Sequence, residues 1–68
     1  MNAERTRLEM LLFERKLSEA EAARRIGIPQ RRFNDKIRHR RQFTLPEMRL
    51  IQTTLFPDMT LEEIFEGY

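Results

Sequence analysis

Apolar residues in this chain recur at three- and four-residue intervals and hardly ever alternate. Leu8, Leu11 and Leu12, with Met10 beside them, lie between charged residues, so an amphipathic helix is expected from Glu4 to Lys16. Phe13 falls at the border of its apolar stripe. The run Leu17-Ser18-Glu19-Ala20-Glu21-Ala22 opens a second helix: Ser18 can cap free N–H groups, Glu21 can reach back, and Leu17 with Ala22 can staple the entry. Ala22, Ala23 and Ile26 supply the buried face, and Gly27 allows the left-handed stop. A third helix is expected from Pro29 to Arg38, with Phe33 and Ile37 as its buried pair and every other side chain from Gln30 onward polar. Arg38 to Gln42 carries no apolar residue and reads as a basic loop. Thr44-Leu45-Pro46-Glu47 is another capping box, opening a helix whose inner face is Leu45, Met48, Ile51 and Leu55. Phe56-Pro57-Asp58 breaks it. Thr60-Leu61-Glu62-Glu63 starts a last short helix presenting Leu61, Ile64 and Phe65. No segment alternates at period two, so no sheet is expected and the fold class is all-α: a compact five-helix domain.

Sixty-eight residues make one domain, residues 1–68, with a small core and modest stability. There is no cysteine, hence no disulfide or thiolate metal site. The longest apolar run near the start, Met10 to Phe13, is shorter than the roughly 7 residues a secretory signal needs and far below the roughly 20 of a membrane span. The expectation is a soluble, cytoplasmic protein with no membrane partner. His39 is the sole histidine and has no companion ligand, so no metal or other cofactor is expected. Catalysis is not expected either: Ser18 is explained as a cap, and the glutamates are spread over helix surfaces. Phe13, Phe33, Phe43, Phe56 and Phe65 read as core or core edge, not as a base-stacking platform.

Charge changes this picture more than composition does. Between Arg24 and Arg41 lie eight bases and a single acid, Asp35, a net +7. The flanking segments are acidic: residues 1–23 carry four bases and five acids, and residues 42–68 one base and five acids. Such a concentrated basic segment calls for an anionic partner.

The informative unit is Ser18 to Ile37, two short helices around a glycine-containing turn. Ala23 and Gly27 are the expected tight points, with Ile28 and Phe33 plugging the angle. The stretch SEAEAARRIGIPQRRFNDKIRHRRQFTLPEM resembles the phage Cro and repressor class of helix-turn-helix proteins, over residues from about Leu8 to Phe65. That resemblance implies a lambda-repressor-like fold with the helix-turn-helix at about 18–38 and its second helix, about 29–38, in the major groove of double-stranded DNA. It implies base contacts from Gln30, Arg31, Asn34 and Asp35. Phosphate contacts would come from Ser18, Arg32, Lys36, Arg38, Arg40 and Arg41. Arginine can donate two bonds to guanine, and glutamine or asparagine can pair with adenine. Asp35 could accept from cytosine N4, or it could hold Arg31 or Arg32 in place.

This chain departs from the family pattern at Glu19, where glutamine often meets phosphate, at Arg38-His39, where asparagine–glycine often ends the helix, and at Lys36, where an aliphatic residue is common. His39 is thus expected at positive φ, and Lys36 with its stem packed and its amine free. The implied function is a transcriptional repressor or Cro-like regulator of a bacterial or phage-infected cell. Phe56, Met59, Phe65 and Tyr68 make the C-terminal segment more apolar than one short helix can bury, so it is expected to form a homodimer contact or, as the alternative, a lid on the core of its own chain. The competing expectation is a protein-interaction module, an antirepressor or antitoxin partner; RNA binding is weaker, because a helix does not readily enter the groove of an RNA duplex.

Overall fold

Hydroxyl side chains set most helix starts in this chain. The computed structural model describes residues 5–68, and within them lie five helices and no strand: α1 Arg7–Glu14, α2 Glu19–Ile26, α3 Gln30–Ile37, α4 Leu45–Leu55 and α5 Leu61–Ile64. Thr6, Thr44 and Thr60 form full capping boxes with Glu9, Glu47 and Glu63. Each box satisfies two N–H groups that a helix start otherwise leaves bare. The Thr6 box places the start of α1 at Arg7, later than the expected Glu4, which lies outside the described residues. Thr6 and Glu9 carry that signal in the sequence. At α2 only half the expected box forms. Ser18 Oγ accepts the Glu21 N–H at 3.0 Å, while the Glu21 carboxylate holds Arg24 and Arg25 instead of reaching back.

Apolar stripes drive the packing. α2 lies against α1, α3 and α4; α1 also meets α3 and α5, and α4 meets α5. Leu8, Leu12, Ala22, Ala23, Phe33, Ile37, Ile51, Phe56 and Ile64 are all but sealed from solvent. Burying a Leu, Ile or Phe side chain contributes about 1.5–3 kcal/mol. Ala22 and Ala23 are small, which lets the backbone of α2 come close to its neighbours.

Gly27 ends α2 at φ 79°. A Cβ built there would meet nothing within 4 Å, so Gly27 is a conformational requirement and not the tight steric point expected. His39 does take positive φ, 67°, as its place after α3 predicts, and so does Lys16 at 56°, which nothing in the sequence singled out.

Two apolar assignments change. Leu45, expected on the inner face of α4, is 52% exposed because it occupies the first helical position, beyond the reach of the core. Phe13 is 67% exposed, not core edge, with the Arg5 guanidinium 4.3 Å above its ring. The expected dimer residues Phe56, Met59, Phe65 and Tyr68 all pack onto the core of their own chain. Phe65 meets Phe43 edge-on and Tyr68 tilts against it, Tyr68 stacks on His39 at 4.2 Å, and its hydroxyl donates to the Ile37 carbonyl. These contacts match the lid expected as the alternative to a dimer contact, with Met59 and Tyr68 left partly exposed. No helix among the described residues is long and apolar enough to cross a membrane.

Candidate functional site

α3 begins differently from the other helices. Its N-cap is Pro29, which offers no side-chain cap, and its first turn holds no acid. Gln30, Arg31 and Arg32 occupy that turn and are all exposed. Cations at the positive end of a helix dipole are unfavourable, and bare N–H groups there attract anions. Among the described residues, no carboxylate pairs with Arg31 or Arg32.

Further along α3 the candidates are engaged inside the molecule. Arg38 makes a two-pronged pair with Glu19, Nη1 to Oε1 and Nη2 to Oε2 both at 3.1 Å, and its Nη2 also reaches Glu9 Oε2 at 3.1 Å. The Glu19 hydrogen bonds push the Arg38 guanidinium pKa up. Arg38 is thus a brace between α1, α2 and the end of α3, not the free phosphate ligand expected. Glu19, which broke the family pattern, is its counterion. Asn34, with its amide nitrogen turned toward Glu19 as its neighbours require, donates to Oε1 at 2.7 Å, so this expected base contact also has an internal partner.

Lys36 is corrected outright. Its side chain is buried at 7% exposure, and Nζ lies 2.6 Å from both carboxylate oxygens of Glu47 on α4. The stem packs as expected, but the amine does not reach solvent. Burial pushes the Glu47 carboxyl up; Lys36 and the Thr44 N–H together outweigh it and hold the pKa below the ordinary glutamate value of 4.5.

Asp35 holds neither Arg31 nor Arg32. Its carboxylate faces Arg40, with Nη1 at 3.3 Å, and Arg41, with Nε at 4.0 Å, while its main-chain carbonyl accepts the N–H groups of both. Arg40 and Arg41 themselves remain about two-thirds exposed. Ser18 is exposed, and only its acceptor side is used by the cap.

Two shallow grooves run along this face. One is lined by Gln30, Arg31, Asn34, Asp35, Arg38 and Arg40; the other by Pro29, Arg31, Arg32, Asp35 and Arg41. The two grooves together are lined by eight of the ten expected residues; Ser18 lines neither, and Lys36 is buried against Glu47. The internal counterions Glu9, Glu19 and Glu47 were not expected in the site: Glu9 and Glu47 have the spacing of capping residues, and Glu19 stood out as a departure from the family pattern. No group of three or more metal-ligating side chains occurs among the described residues.

No family model, curated protein or solved structure matches this chain. What the site does must be argued from its chemistry.

Proposed function

We propose that this chain binds double-stranded DNA, with α3 in the major groove, as a transcriptional repressor or Cro-like regulator. One observation carries the reading. α3 presents an uncapped, acid-free first turn with Gln30 and unpaired Arg31 and Arg32 facing solvent, in a molecule whose other helix starts are all capped by hydroxyls and carry acid. A surface that leaves cations and N–H groups bare together suits a polyanion.

Gln30 and Arg31 are the base-reading residues. Arg31 suits the O6 and N7 of guanine, and Gln30 the N6 and N7 of adenine. Arg32, Arg40 and Arg41, with the Ser18 hydroxyl, contact phosphates and fix register. Asn34 and Arg38 act behind them, holding α3 on α2 through Glu19. The α2–Gly27–α3 unit serves as the helix-turn-helix that the sequence resembles, with the docking known for that class. Promoter occlusion follows from occupancy.

A mobility shift with random duplex at low salt, followed by a salt titration, tests this reading. Binding should weaken steeply as salt rises, with log K falling linearly against log salt. A flat response, or no shift at low salt, would rule the reading out. The second reading, a module that binds another regulator, is favoured by Phe13, whose ring is left two-thirds exposed beside Met10. Failure to shift DNA together with capture of a regulator through Phe13 would select it.

A further inference from the structure

An acid stands in the middle of the cationic face. Asp35 lines both grooves along α3. Its main-chain carbonyl accepts the Arg40 N–H at 2.8 Å and the Arg41 N–H at 3.3 Å, which folds the loop back onto the helix end. Its carboxylate, 29% exposed, then meets both guanidiniums of that loop, at 3.3 and 4.0 Å. Each contact is a single, solvent-facing one, and neither has the two-pronged geometry of Arg38 on Glu19. Pairs of this kind are weak enough to exchange.

We infer that Asp35 is an internal competitor for DNA phosphate, holding Arg40 and Arg41 in the free protein and thereby suppressing binding to duplex of arbitrary sequence. The inference rests on the DNA-binding reading and adds the residue that sets its selectivity. Arg31 and Arg32 meet phosphate or base with no exchange. Arg40 and Arg41 must leave Asp35 first, and the carboxylate they leave behind faces a polyanion. Where a cytosine amine comes within reach, Asp35 accepts a hydrogen bond from it and the repulsion is offset. Arbitrary sequence gives no such relief. Selectivity then comes from a repulsive element as much as from an attractive one.

The test compares wild type, Asp35→Asn, the double variant Arg40→Ala/Arg41→Ala, and the triple variant on a short random-sequence duplex across a salt series. Asp35→Asn should tighten binding roughly two- to five-fold and steepen the log–log salt slope by about 1–2. In the background lacking both arginines, most of that gain should vanish, leaving the smaller part due to the carboxylate's own repulsion. Asp35→Glu should restore wild-type behaviour. An equal gain in both backgrounds, or no gain, overturns the inference; circular-dichroism melting checks that each variant folds. If neither wild type nor Asp35→Asn binds duplex at low salt, the DNA reading itself fails. Elution from heparin then still decides the exchange: Asp35→Asn must elute later only when Arg40 and Arg41 are present.

Discussion

Single side chains on α3 divide into those the fold uses and those it leaves over. Arg31 is left over, so truncating it should touch recognition and not folding. Arg31→Ala should cost about 1–3 kcal/mol of binding and relax preference at one base position. Arg41→Ala should weaken binding and flatten the salt slope by about 1 on the selected duplex, with little change on random duplex, where Asp35 still holds the arginine. Parallel titrations on selected and random duplexes separate the two. Gly27 is the opposite case, a residue used only by the backbone. With φ at 79° and open space where a Cβ would sit, Gly27→Ala carries a conformational cost alone, about 1–2 kcal/mol. Urea unfolding should show that loss, with DNA affinity per folded molecule unchanged. A larger loss would mean that the space is not open.

Between elements, the pairing of Lys36 on α3 with Glu47 on α4 decides more than either sequence segment reveals. A buried pair is costly to halve and cheap to replace. Glu47→Gln strands the Lys36 ammonium at 7% exposure and should cost about 2–3 kcal/mol. Lys36→Met keeps the packed stem and should stay within about 1 kcal/mol of wild type. The reverse order in chemical denaturation would contradict this account. The pH dependence follows from the sign of the Glu47 shift. Its folded pKa lies below 4.5, so it contributes stability that is complete above that value and lost as pH falls through the folded pKa. Melting temperature should therefore drop more from about pH 6 to about pH 3 in wild type than in Glu47→Gln.

For the whole molecule, the aromatic cluster around Tyr68 packs within its own chain. Tyr68→Ala removes the contacts with His39, Phe43 and Phe65 and the hydrogen bond to Ile37, for about 2–3 kcal/mol. That loss should lower the melting temperature equally at every protein concentration. A concentration-dependent shift would instead return these residues to a subunit interface. Charge is distributed at the same scale. Glu19 and Glu47 engage Arg38 and Lys36 from outside α3, Glu21 pairs with the exposed Arg24 and Arg25, and Asp35 meets Arg40 and Arg41, so Arg31 and Arg32 are the bases of the +7 segment left without a carboxylate partner among the described residues.

Local chemistry was legible in the sequence because it acts over three or four residues. Caps at Ser18, Thr44 and Thr60, the stop at Gly27, the positive φ at His39 and the buried pair Phe33 and Ile37 all depend on near neighbours, so spacing alone fixes them. The first helix start was equally local at Thr6 and Glu9, though a longer apolar period masked it. What only the tertiary structure decided is which charges meet. Lys36 finds Glu47 eleven residues away, Arg38 finds Glu19 nineteen residues away, and Tyr68 reaches Ile37 across thirty-one. No periodicity encodes such partnerships, since they arise only when helices are set side by side. They separate Arg38, which pairs across helices, from Arg31 and Arg32, which meet no carboxylate among the described residues.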